Sequence, residues 1–436
     1  MEPITIAIIG LIVMVALLLL GMNIGFSFMM VGIIGYALIT DIHAAIGMLR
    51  QIPASTASAY NLSVIPLFIL MGNIAFEGGM SDGLFKAADK WLAKFPGGMA
   101  CASIAASAAF GAICGSAPAT AATMGTVAIP AMREHGYKPE LATGVVAVGG
   151  TLGIMIPPST PFIVYAVMAE KSIGRLFAAG ILPGIMTAIV CCIFVVIMVL
   201  RNPSLAPPTT RTITWAERFA SLKGVIPVVI LFVIVLGGMF SGIFTVNESA
   251  AIGAVCAFIL MAVARRFTIK TFLQVIKKSL ISTAMVYIIL IGANVLGKFL
   301  AISQLPMSLA KNIQGMDVSK YWIIVVIVII YAIMGCFIDA LPMIMLTVPI
   351  FLPIVVDSLG FDPIWFGVLI VLVMQLGFIT PPVGMCAYVI SGVAKDVPLA
   401  TVFRGVLPFA PALLIAIAIV VIFPQLSLAL PNLLYG

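Results

Sequence analysis

Charge is what this chain has least of: Asp, Glu, Lys and Arg make up 8% of its 436 residues, while 63% are hydrophobic. Soluble domains carry roughly a quarter charged residues, so an aqueous fold is excluded and lipid becomes the solvent to reason with. Histidine is scarce too. His43 and His135 stand alone, without the partner spacing of a transition-metal site. The cysteines, Cys101, Cys114, Cys191, Cys192, Cys256, Cys336 and Cys386, all fall in apolar segments and form no Cys-x-x-Cys pair, which argues against a disulfide framework and a zinc site. No His-Glu-x-x-His, no Gly-x-Gly-Asp aspartate pair and no Ser-His pair is present, which argues against an intramembrane enzyme. Gly292 to Lys298 imitates a phosphate-binding loop. Phe299, however, stands where Ser or Thr would hold magnesium, and the stretch lies inside an apolar run, so ATP chemistry has no site. The net charge of +7 lies in short loops between apolar runs, where cytoplasmic retention and anionic headgroups account for it without nucleic acid.

What remains is a series of apolar runs, each near the roughly 20 residues that cross a ~30 Å hydrocarbon core. About ten crossings and two hairpins fit this length, in one integral membrane domain covering 1–436. Met1-Glu2-Pro3 lacks the basic start of a signal peptide, so Ile4 to Met22 is expected to stay as a span. Ile24 to Thr40 is a second span, and Asp41 to Asn61 a connector that completes an amino-terminal section, 1–61.

Two stretches break the apolar pattern. Gly111 to Pro130, GAICGSAPATAATMGTVAIP, packs small residues, hydroxyls and proline together, and proline frees a carbonyl that hydrocarbon cannot satisfy. A hairpin turning back inside the protein resolves this. Met334 to Pro353, MGCFIDALPMIMLTVPIFLP, is a second copy, with Pro342 standing 224 residues after Pro118. Each hairpin is followed by a span broken at a double proline, and Pro381-Pro382 again lies 224 residues beyond Pro157-Pro158. The chain therefore reads as two repeats. The first, 62–200, holds a hairpin at 99–136 and a broken helix at 141–170. The second, 280–436, holds a hairpin at 321–359 and a broken helix at 364–394. Between them, 201–279 carries a linker with Pro203, Pro207, Pro208, Arg211, Arg218 and Lys223, and two spans. The loop after those spans has Arg265, Arg266, Lys270, Lys277 and Lys278 and no acid, which puts it in the cytoplasm, both termini outside, and the two repeats in inverted orientation. Leu84 to Phe95, with Lys86, Lys90 and Lys94 on one face, reads as a helix lying along the interface.

Opposed hairpins beside broken helices bring half-helix ends together near mid-membrane, the way secondary transporters build a site. Half-helix amino termini suit an anion, while carboxyl ends and unwound carbonyls suit a hard cation such as sodium. Ser116, Thr120 and Asp339 would face this site. Asp339 costs about 2.5 to 3.5 kcal/mol at a central position unless paired, and a cation is its natural partner. Helix capping alone would also account for Ser116 and Asp339. Gly153, Pro157, Pro158 and Ser159 in one break, and Gly377, Thr380, Pro381, Pro382 and Gly384 in the other, would offer carbonyls and hydroxyls; a packing kink is the plainer alternative.

These residues resemble the large membrane subunit of tripartite ATP-independent periplasmic transporters over nearly the whole chain. The resemblance rests on GAICGSAPATAATMG, GGTLGIMIPPSTPFIVYA, GCFIDALPMIMLTVPIFLP and QLGFITPPVG. It implies an all-α polytopic membrane protein of the ion-transporter superfamily type, with two inverted repeats, each with a re-entrant hairpin and a discontinuous helix, working as an elevator. It further implies import of a small carboxylate, such as a C4-dicarboxylate or a sialic or sugar acid, coupled to Na+, with no covalent chemistry and no cofactor. Multi-pass insertion in the bacterial inner membrane and two protein partners are implied as well. These are a small four-helix membrane subunit, expected as a separate chain, and a soluble periplasmic substrate-binding protein. The sodium-site residues are then Ser116, Thr120, Gly153, Pro157, Pro158, Gly335, Asp339, Gly377, Thr380 and Pro382. The substrate residues are Ser116, Pro118, Ser159, Thr160, Pro342 and Gly384, with Pro118 offering no side-chain ligand. A stand-alone sodium and anion symporter is the alternative within transport.

Overall fold

A computed structural model describes residues 2–207, 213–314 and 318–436; Met1 and, in the linker, Pro208 and Arg211 lie outside them. All regular structure among the described residues is helical. Six helices are long and apolar enough to cross a membrane, or seven if the pair Trp215–Gly224 and Ile226–Phe240, bent by 52°, counts as one span. The expected ten crossings exceed this because Pro3–Leu18 and Ile24–Ile39, among others, are apolar but under 18 residues.

Two helices form the centre. Leu141–Thr151 and Ile364–Gly377 are buried at every position, so each reads as a continuous apolar run rather than an amphipathic one. Outer helices carry an exposed apolar stripe. In Ile173–Arg201, Ile185, Ile189, Ile193 and Ile197 recur every fourth residue on one exposed face, while Cys191, Val195 and Val199 are buried.

The hairpins and breaks fall where glycine and proline punctuate the chain. Gly98–Cys114 and Ala117–Glu134 form the first hairpin and pack on each other. Lys320–Gly335 and Ala340–Leu352 form the second, extended by a wider turn to Ser358. Pro139–Thr151 and Thr160–Met168 are the halves of the first broken helix, Pro363–Gly377 and Met385–Val393 those of the second. Both Pro157-Pro158 and Pro381-Pro382 are cis.

One expected loop is helical. Ile269–Ser303 runs unbroken for 35 residues, so Lys270, Lys277 and Lys278 belong to its first turns. At ~1.5 Å per residue this helix is about 52 Å long, well beyond a ~30 Å hydrocarbon core, and its basic start can stand outside the core without a loop. The helix expected to lie along the interface is Met80–Leu92, and its Gly83 meets Gly224 backbone to backbone, seating it on the 215–224 segment.

Candidate functional site

The first hairpin turns at Gly115, whose φ of +63° is left-handed, and its N–H donates to the Gly111 carbonyl at 2.8 Å. A Cβ there would also meet the Pro158 carbonyl oxygen at 2.9 Å, so the tip lies directly on the first break. Ser116 follows in an extended conformation and caps nothing with its side chain. Pro118, in the first turn of the next helix, loses no hydrogen bond by lacking an N–H. The N–H groups of Ala117 and Ala119 are left without helical partners.

The second hairpin turns at Asp339, whose Oδ1 accepts from the Ala340 N–H at 2.7 Å, so one carboxylate oxygen is committed to the cap. In the first break, the Ser159 hydroxyl donates to the Ile154 carbonyl at 2.5 Å, and the Thr160 N–H reaches the Gly115 carbonyl at 3.4 Å.

Three helices therefore start at one place, and a cavity of about 250 Å³ lies between them. Ala117, Pro118 and Ala119, Thr160 and Pro161, and Ala340 and Leu341 line it with their first turns, together with Ser116 and Asp339. Each start carries roughly half a positive charge from its aligned peptide dipoles. The opposite wall comes from Ile69, Gly72 and Asn73 of helix Val64–Glu77 and from Ser282, Met285, Val286 and Ile289 of helix Ile269–Ser303. No lysine, arginine or histidine is among the described residues that line it.

Of the candidates from sequence, Ser116, Pro118, Thr160 and Asp339 are brought together here. Thr120, Gly153, Pro157, Pro158 and Ser159 lie behind the first tip and are not part of the lining. A Cβ on Gly153 would stand 2.5 Å from the Thr120 hydroxyl and 3.1 Å from the Ser116 carbonyl, so these two oxygens press on a backbone that has no room for a side chain. The Thr120 hydroxyl is fully buried and makes no hydrogen bond, with the Cys114 thiol as a neighbour. Behind the second tip, Gly335 and Gly377 touch, and the Thr380 hydroxyl donates to the Leu376 carbonyl at 2.6 Å. Pro342 is buried in its helix, Gly384 restarts the second broken helix at φ +53°, and Pro382 is exposed; none of these lines the cavity.

Sequence reasoning missed Asn73 and Ser282, the polar side chains of the far wall. A lone asparagine inside an otherwise apolar helix was the available signal. It also missed a contact made twice. A Cβ on Gly111 would stand 2.3 Å from the Gly153 Cα, and one on Gly377 2.5 Å from the Gly335 Cα. The second pair lies 224 residues beyond the first. Between the copies, Thr151 and Gln375, themselves 224 apart, approach each other with Oγ1 and Oε1 at 3.4 Å, both fully buried.

Interrupted helices that end on a partly polar cavity inside an apolar, multi-pass body define a membrane permease. The model of the tripartite ATP-independent periplasmic transporter family, DctM component, matches residues 11–426, and the chain belongs to that family. It is 33% identical over 426 residues to the sialic acid large permease protein SiaM of Vibrio cholerae, covering 96% of this chain and 97% of that one. It is 36% identical over 378 residues to the C4-dicarboxylate large permease protein DctM of Pseudomonas aeruginosa, covering 86% and 87%. These relatives are permeases, so the protein is a transport protein rather than an enzyme. Among solved structures, the YdaH transporter of Alcanivorax borkumensis has the same fold, with a TM-score of 0.61 and 15% identity over 88% of this chain and 90% of that one.

Proposed function

We propose that the protein is the membrane permease of a sodium-coupled carrier that imports small organic acids across the bacterial inner membrane. The convergence of three helix amino termini on one cavity carries this reading: Asp339 caps one of them, and the other two favour an anion without any basic side chain. The relatives named for sialic acid and C4-dicarboxylates point to carboxylates as that anion. Sodium is the second cargo. The unpaired Thr120 hydroxyl, the Ser116 carbonyl and the Gly153 backbone offer hard oxygen ligands at the first tip, and Asp339, Gly335, Gly377 and Thr380 are the matching group at the second.

The repeats are inverted copies. Residues one repeat apart meet each other only near a two-fold axis, and the Thr151–Gln375 approach supports such an axis through the buried centre. Movement is of the elevator kind, with tips and broken helices sliding against the wall helices Val64–Glu77 and Ile269–Ser303. A sodium gradient drives it, each inward charge gaining ~2.3 kcal/mol per 100 mV. A separate small four-helix membrane subunit and a soluble periplasmic binding protein complete the carrier, and both termini are periplasmic.

The test is uptake into proteoliposomes holding this protein and its small subunit, with the periplasmic protein outside. Whichever of labelled sialic acid and succinate is carried should enter only under an inward sodium gradient. Asp339→Ala should abolish that sodium dependence while the complex still assembles; uptake that ignores sodium in the unaltered protein overturns the proposal.

A further inference from the structure

We infer that Asn73 and Ser282 contact the substrate, and that they select a monocarboxylate with a neutral, hydroxyl- or carbonyl-bearing end over a dicarboxylate. The inference rests on the carboxylate cavity proposed above and adds which carboxylates fit it. The two sides of the cavity differ in charge. On one side stand the three helix starts; the Asp339 carboxylate already caps one of them, so a substrate carboxylate belongs at the other two, which begin at Ala117 and Thr160. On the other, Ile69, Met285, Val286 and Ile289 are apolar, and Asn73 and Ser282 are polar but neutral. The second carboxylate of an extended diacid would be pressed among these groups with no cation to pair with, a costly desolvation. A hydroxyl or carbonyl loses little water there and gains hydrogen bonds.

Asn73 is built for this role. Its Nδ2 donates to the Ser279 hydroxyl at 2.9 Å, which fixes the amide and leaves one N–H and the carbonyl oxygen for a ligand. Ser279 is buried and does not line the cavity. The bond that orients Asn73 can therefore be broken without touching the substrate surface.

The experiment measures equilibrium binding of labelled D-gluconate and succinate to the full chain, co-purified with its small subunit in lipid nanodiscs, with and without sodium. Wild type should bind gluconate at least about tenfold tighter than succinate in sodium, since a site that hydrogen-bonds a partner discriminates by about that factor or more. Asn73→Ala should weaken gluconate about tenfold, while Ser279→Ala stays within about twofold. Asn73→Lys, which supplies the missing cation, should shift the preference toward succinate. Equal losses in Asn73→Ala and Ser279→Ala would reduce Asn73 to a structural role and overturn the inference. Tighter binding of succinate by wild type would overturn the selectivity while leaving the carboxylate cavity in place. Binding of neither acid would overturn the cavity assignment itself.

Discussion

A methyl group on Gly111 or Gly377 has nowhere to go, because the nearest atom is a backbone Cα at 2.3 or 2.5 Å that no rotamer change can move. Gly111→Ala and Gly377→Ala should each destabilise the protein by about 1–3 kcal/mol, the usual range for overpacking, and lower the midpoint of thermal unfolding in detergent. Gly297→Ala is the control. It lies in a helix where the added carbon meets no atom within 4 Å beyond its own helix backbone, and since alanine is the better helix former it should unfold no earlier than wild type. Thr120 separates stability from function in the opposite direction. Its buried hydroxyl already lacks a partner, so Thr120→Val removes an unsatisfied group and should unfold no earlier than wild type. If the hydroxyl binds sodium, the concentration that half-activates uptake should nevertheless rise about tenfold, the scale of one lost ligand interaction. An unchanged sodium requirement would remove Thr120 from the ion site. Neither glycine contact was visible in advance from local sequence; the recurrence of Gly111 at Gly335 and of Gly153 at Gly377, both at the repeat spacing, was the trace, since small residues at a helix crossing look like any others in an apolar run.

At the scale of elements, the hairpins and breaks were legible to within a few residues, because Gly115, Pro118, Pro157-Pro158 and Pro381-Pro382 mark positions where a lipid-embedded helix cannot continue. The start of Ile269–Ser303 was not. Lys270, Lys277 and Lys278 suggested a loop, but lysine is a good helix former and a long helix can carry it past the membrane surface. Element ends also meet where sequence separation gave no hint. Arg133, near the end of the first hairpin, is paired with Asp396, just after the second broken helix. The hydrogen bond from Arg133 holds the Asp396 carboxyl below the usual carboxylate range. A lowered value means that the pair stabilises the fold above the ordinary carboxylate pKa of ~3.9 and loses that contribution as pH falls through the lowered one. Asp396→Asn should therefore reduce the unfolding midpoint by a small, similar amount at pH 7 and pH 5.5, and the difference should close only below about pH 4. Both side chains are exposed, so high salt should shrink the effect.

For the molecule as a whole, the question is whether the tips leave the wall during transport. The wall helices are held to each other by the Asn73–Ser279 hydrogen bond at 2.9 Å and the Lys278–Glu77 pair at 2.7 Å, and Val64–Glu77 also packs along Val246–Val263. The first tip touches this wall at Gly72, where a Cβ would stand 3.3 Å from the Cys114 Cα. That closeness suits a disulfide, which needs Cα atoms about 4.4–6.8 Å apart. Gly72→Cys beside the native Cys114 should therefore cross-link under copper phenanthroline, which accepts the two electrons the thiols release. A slide of even one helical turn, ~5.4 Å, carries the partners out of disulfide range. Uptake should fall to background on oxidation and return with dithiothreitol, while Gly72→Cys combined with Cys114→Ala ignores both reagents. The double variant matters because it carries the same crowding at position 72, so only the covalent bond distinguishes the two. A fully cross-linked carrier that still turns over at the uncross-linked rate would mean that the tip stays against the wall throughout the cycle, and the elevator would have to give way to a motion confined to the hairpins.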